Sequence, residues 1–185
     1  MDEGSTRLAC APLVRSFGWC TPGERAAPTM LRWQYPCMAA LGWDEVAERF
    51  GAAQNWWVAT SGPGGPHSVP VWGVVVASAL HFYGEPSAVR SRNLTGDPRL
   101  VLNLESGSSV LIVHGSVAIG PVAGQVPAVS AAYREKYVDP TDLEFLPDAP
   151  GMEHALLFTV APERAIAWEL GGADSMTMRR WSAAS

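Results

Sequence analysis

The amino-acid sequence predicts a mainly β domain with short helices, in which an antiparallel sheet closes into a barrel. Three observations predict it. Short runs rich in β-branched and aromatic residues recur along the chain. Gly, Pro, Asp and Ser clusters punctuate them at short intervals. The helical stretches are few and short, unlike the regular alternation that builds a parallel sheet. About seven strands are expected.

Residues 1–40 carry Pro12, Pro22, Pro28 and Pro36 and keep no period of 2 or 3.6, so they read as an irregular N-terminal extension before a domain over 41–185. Trp43, Val46, Ala47 and Phe50 then recur at helical spacing, with Asp44 as N-cap and Gly51 as stop. A strand over Asn55 to Ser61, a turn at Gly62-Pro63-Gly64-Gly65 and a strand over His67 to Val76 make a hairpin. A third strand runs from Leu80 to Gly84. Glu85-Pro86-Ser87 opens a helix over Ala88 to Leu94, with Ser87 as N-cap, and Gly96-Asp97-Pro98 closes it. Strands follow over Arg99 to Glu105 and Val110 to Ile119. Val129, Tyr133 and Tyr137, four apart, mark a helix over Val126 to Tyr137. Val138 to Met152 holds three prolines and is expected to be a loop. His154 to Val160 and Arg164 to Leu170 form a last hairpin about Ala161-Pro162-Glu163, and Gly171 to Ser185 is a tail.

Composition narrows the class. In 185 residues, 48% hydrophobic and 17% charged, the chain buries enough apolar surface for one compact domain. Its net charge of −5 argues against a nucleic-acid groove, which needs a basic stripe. Cys10, Cys20 and Cys37 are odd in number and have no CxxC or His partner at ligand spacing. They read as reduced thiols, with neither a disulfide framework nor a metal site. Met1-Asp2-Glu3 opens no signal peptide, and the apolar run from Val69 to Leu80 is broken by Pro70, Gly73 and Ser78, short of the ~20 residues a bilayer requires. A cytoplasmic protein without membrane or nucleic-acid partners is expected.

No dinucleotide fingerprint, P-loop, nucleophile elbow or zinc-protease motif is present. His67, His81, His114 and His154 are scattered. His114, amid apolar neighbours, is the one worth testing. Most informative is the stretch from Glu85 to Asn93. A helix N-terminus presents unpaired N–H groups and partial positive charge, and an arginine adds a bidentate fork for phosphate. Ser87, Arg90 and Arg92 therefore mark the best anion site in the chain. A solvated helix face is the alternative reading of the same arginines.

Trp57-Val58-Ala59-Thr60, Gly65-Pro66-His67-Ser68-Val69-Pro70-Val71-Trp72, Phe82-Tyr83-Gly84 and Arg90 to Arg99, taken in this order, resemble the core signature of the pyridoxamine 5′-phosphate oxidase-like proteins. The small members that use FMN or coenzyme F420 are the most similar. Tyr133 with Lys136-Tyr137, Ala167-Trp168 and Thr177-Met178-Arg179-Arg180-Trp181 resemble later parts of that pattern. The resemblance covers roughly Leu41 to Trp181. It implies a split β-barrel of the FMN-binding type, a homodimer with two cofactors at the subunit interface. It also implies that Val69, Pro70, Val71 and Trp72 flank the isoalloxazine-type ring, that Phe82 and Tyr83 line the ribityl chain, and that Arg90 and Asn93, with Ser87 beside them, meet the phosphate. Relatives usually carry Ser-Arg-Lys where this chain has Ala88-Val89-Arg90, so one hydroxyl and one basic group are missing there. The function so implied is an FMN- or F420-dependent oxidoreductase acting on a small organic substrate, with no side chain named as catalytic. The alternative is a flavin, F420 or haem carrier or sensor without turnover.

Overall fold

The structure, a computed structural model, describes residues 39–171 and 175–183. Residues 1–38, the three cysteines among them, lie outside the described residues, as do 172–174 and 184–185.

Nine strands form one sheet among the described residues: β1 (Ala39–Ala40), β2 (Trp56–Gly62), β3 (Gly65–Val71), β4 (Gly73–Val76), β5 (Ala79–Gly84), β6 (Arg99–Asn103), β7 (Ser109–Val122), β8 (Leu156–Gly171) and β9 (Ser175–Ser182). The helices are α1 (Trp43–Ala52), α2 (Val89–Gly96) and α3 (Pro127–Lys136). Strand order is β1-β9-β8-β7-β6-β2-β3, with β5 joining β4 to β8. Only β1–β9 is parallel; the remaining pairs are antiparallel. This is a split β-barrel, as expected, with more strands than the sequence suggests.

The differences have local causes. The expected strand from His67 to Val76 breaks at Trp72. Before the break the chain pairs with β2, after it with β5, and this crossing splits the barrel. The β4–β5 turn falls where the sequence places it, between Val76 and Leu80, although its central residues, Ala77 (φ 49°) and Ser78 (φ 62°), adopt the left-handed conformation without glycine. Ala161-Pro162-Glu163, by contrast, is no turn. β8 runs through it as one strand, and the register against β7 jumps from His114↔Arg164 to Gly115↔Pro162, leaving Glu163 as the extra residue of a bulge. Proline is tolerated there because a bulge releases a ladder bond. The bulge also switches parity: Phe158 and Val160 face the core before it, Ala165 and Ala167 after it. The expected tail contributes β9, and Trp181 packs on Trp43 at 4.7 Å.

Helix starts also differ. Gly42, not Asp44, caps α1, and Ala88, not Ser87, caps α2; neither supplies a side-chain bond. Within Val138 to Met152, Pro140–Phe145 forms a 3-10 helix begun by Asp139, whose side chain accepts from Thr141 N at 2.9 Å.

One core fills the barrel around Phe50, Trp56, Leu80, Phe82, Leu102, Leu111 and Phe158. Trp56 is fully buried and satisfied, donating from Nε1 to Phe50 O at 2.8 Å. A smaller core lies between α3, the 3-10 segment and β4, around Val74, Tyr133, Tyr137 and Leu146. At the crossing, Gly73 lies so close to Trp56 that a Cβ would sit 2.3 Å from its ring. Gly73→Ala is therefore expected to cost about 3 kcal/mol. In thermal unfolding, a Gly73→Ala melting point equal to that of Gly64→Ala, a site with nothing within 4 Å, would contradict this packing.

Candidate functional site

β5 delivers the chain at Gly84, and Glu85 to Ala88 turn it into α2, with Ala88 N donating to Glu85 O at 3.0 Å. The first intrahelical bond is Arg92 N to Ala88 O, 3.0 Å. With no side-chain cap, the amides that open the helix have no partner of their own.

Arg90 folds back beneath this end. Its Nη2 reaches Tyr83 O at 3.4 Å, and its guanidinium packs against Gly84. A Cβ on Gly84 would stand 2.8 Å from Nη2, 3.0 Å from Nε and 3.1 Å from Ser91 Oγ. Arg90 Nε and Ser91 Oγ are buried and make no hydrogen bond to any described residue, and Ser91 is 0% exposed. Leaving such donors unmet costs about 1–3 kcal/mol each. Burial lowers the Arg90 pKa, opposed by Tyr83 and Glu85, but an arginine remains cationic. A cation, an unmet hydroxyl and open helix amides thus lie together at the start of α2, with Arg90 itself filling the space beside Gly84. An anionic oxygen fits that donor set.

An aromatic chain adjoins it. Tyr83 meets Tyr133 edge-on at 5.0 Å, Tyr133 stacks on Tyr137 at 5.5 Å, and Tyr137 stacks on Trp72 at 4.4 Å. Phe145 approaches the Trp72 edge at 6.4 Å and is 52% exposed. The phenols are committed: Tyr83 donates to Phe145 O, Tyr133 to Trp72 O at 3.0 Å, and Tyr137 to Gln54 O at 2.9 Å while accepting from Gly73 N at 2.9 Å. Burial pushes Tyr83 up to about 12 and raises Tyr133 and Tyr137 well above the usual phenol range. These hydroxyls hold backbone and stay protonated at neutral pH.

The residues named from sequence divide. Tyr83, Arg90 and the backbone beside Ser87 come together at the start of α2, with Ser87 itself exposed and its carbonyl taken by Arg92 Nη1. Val69 to Val71 lie on β3, which among the described residues pairs with β2 alone; Pro70 is exposed, Val69 half-buried, Val71 buried. Trp72 is half-buried on Tyr137. Two side chains do not fit their expected roles. Phe82 is fully buried and stacked on Phe158 at 5.0 Å, so it faces the barrel core rather than a ligand chain. Asn93 is buried one helical turn below, donating to Thr60 Oγ1 at 3.1 Å. Its Oδ1 fills the space above Gly62, where a Cβ would be 2.0 Å away. Ser91 and Gly84 were missed from sequence, because nothing in Gly-Glu-Pro-Ser-Ala-Val-Arg-Ser tells which donors the fold leaves unmet.

The histidines stand apart. His81 Nδ1 lies 3.1 Å from Thr159 Oγ1, and burial lowers its pKa. His114 lines an open groove of about 370 Å³ on the outer sheet face with Thr60, Arg99 and Arg164. Its Nδ1 is 3.2 Å from Arg164 Nη2, so it accepts, which requires the neutral ring.

No family model matches the sequence, and neither does any curated protein sequence. By structure the chain is similar to a conserved hypothetical protein from Mycobacterium tuberculosis, with 21% identity over 75% of this chain and 92% of that one, TM-score 0.61. It is also similar to an F420 reductase (20% identity, 64% and 94% covered, TM-score 0.52) and to a heme-binding protein from Mycobacterium smegmatis (17%, 78% and 60%, TM-score 0.56). At these identities the likeness is one of fold, and it is the split barrel that the sequence resemblance implies. Among the described residues no helix is long and apolar enough to cross a membrane.

Burial first, then Arg164, hold the His114 pKa below the ordinary imidazole value. Neutral His114 therefore favours the folded state above that value, and the contribution is lost as pH falls through the lowered one. An NMR titration of His114 should show a midpoint below about 6.5 that rises in Arg164→Ala. A midpoint unmoved by that change would exclude the contact.

Proposed function

We propose that this split barrel binds a phosphorylated flavin or deazaflavin, FMN or F420, at the start of α2 and works as an oxidoreductase on a small organic substrate. The observation that carries it is the pair of buried, unmet donors, Arg90 Nε and Ser91 Oγ, set against Gly84 beneath a bare helix N-terminus. Phosphate oxygens meet all three kinds of donor at once. From that anchor the edge of β3 away from β2, with Trp72 and the exposed Phe145 nearby, offers peptide groups and an apolar surface to a planar ring. The cofactor, when bound, supplies the hydride chemistry. The chain's own residues hold the phosphate, orient the ring and keep water from one side, and the high phenol pKa values argue against tyrosine as acid or base.

The same reading includes a homodimer. One cross-strand row on the outer face runs Pro70–Trp57–Asn103–Ile112–Ile166–Arg180. Beside it lie Ala59, Val101 and Trp168, most of the apolar members half-buried. The helices pack elsewhere: α1 on β4 and β5, α2 on β2 and β3, α3 on β4. A second copy would bury the apolar members of this face. A carrier without turnover is the second reading, favoured by Ala88 and the 43%-exposed Val89 where relatives bring further phosphate ligands.

Titration with FMN and with F420, read by quenching of cofactor fluorescence, should show binding to one of them. Arg90→Ala should weaken it roughly 10- to 100-fold; failure of the unaltered protein to bind either would end the proposal. Steady-state turnover with a nicotinamide or reduced-F420 donor separates enzyme from carrier. Ile112→Arg should shift the sedimenting species from dimer to monomer, since an unpaired charge is costly to bury at an interface; a monomeric unaltered chain would remove the dimer.

A further inference from the structure

Lys136 is the only lysine of the chain, beside twelve arginines. It ends α3, half-buried, and its Nζ donates to Gly73 O at 2.7 Å. The Trp56 and Tyr137 ring centroids lie 5.4 and 5.3 Å away. No described carboxylate stands within 4.0 Å of it. An ammonium in this setting has given up much of its hydration and gained no counter-ion. It keeps only one carbonyl and two ring faces, and two of its N–H bonds remain unassigned.

We propose that Lys136 is an acyl-acceptor site, a lysine whose neutral amine is modified by activated acyl groups of the acyl phosphate, thioester or anhydride class. In the step, the Nζ lone pair attacks the acyl carbon and a C–N bond forms. The bond from that carbon to the phosphate, thiolate or carboxylate breaks with its electron pair, and the nitrogen loses a proton to solvent. The product is a neutral amide. It retains one N–H for Gly73 O but no charge, so modification loosens the contact that ties α3 to the strand crossing at Trp72 and Gly73.

Burial supports the same conclusion. It draws the Lys136 pKa down to about 8, although the two ring faces favour the charged form. At neutral pH such an amine holds roughly 300-fold more of the nucleophilic form than an ordinary lysine near 10.5. The inference does not depend on cofactor binding.

Trace labelling of the full chain with isotopic acetic anhydride between pH 6 and 11, mapped by peptide mass spectrometry, tests it. Lys136 should label with a midpoint near pH 8 in the folded protein and near pH 10.5 in denaturant, and the peptide carrying the Met1 amine is counted separately. After hydroxylamine has removed S- and O-acyl groups, folded Lys136→Arg should keep amide label at Met1 alone. A folded-state profile rising only through pH 10, or a Lys136 that labels only in denaturant, would overturn the proposal. A purely structural lysine would give one of those two results.

Discussion

The fold depends on how the chain satisfies its own backbone where one strand leaves one leaf of the barrel and joins the other. Between β3 and β4 the ladder changes partner from β2 to β5, and there the Trp72 carbonyl and the Gly73 N–H and carbonyl need partners from elsewhere, because enclosed backbone groups must be paired. Side chains of α3 meet that need. Tyr133 donates to Trp72 O, Lys136 to Gly73 O, and Tyr137 both accepts from Gly73 N and donates onward to Gln54 O. Gly73 allows the crossing to press against Trp56. A helix after β7 is thereby coupled to a break some sixty residues earlier, and the same phenols that would otherwise look like acid–base groups are spent on structure.

A second glycine-dependent contact sets the candidate site. Gly84 and Gly62 end β5 and β2, and each takes a side chain of α2 into the space a Cβ would fill: Arg90 on one, Asn93 on the other. The outcomes differ because the partners differ. Asn93 donates to Thr60. Arg90 finds only a distant carbonyl, with Ser91 beside it unmet. Of the two ends of this short helix, the one facing Tyr83 is therefore where unmet donors remain among the described residues.

Much of the architecture was legible in the chain. The antiparallel barrel, the helices near Trp43, Arg90 and Tyr133, and the glycine turn at Gly62 to Gly65 followed from pattern and turn chemistry. What misled the reading was local. A period of two that slips by one residue looks like the end of a strand, so the bulge at Glu163 appeared to be a hairpin.

The sequence by itself determined which segments are apolar, where the chain can bend, and that an arginine-bearing helix follows the Phe82-Tyr83-Gly84 strand, since these depend on neighbours within a few residues. Only the tertiary structure decided which of those polar groups are already satisfied. Phe82 turned inward, Asn93 was taken by Thr60, and Arg90 and Ser91 were left open, because each outcome depends on atoms that strands distant in sequence bring within about 3 Å.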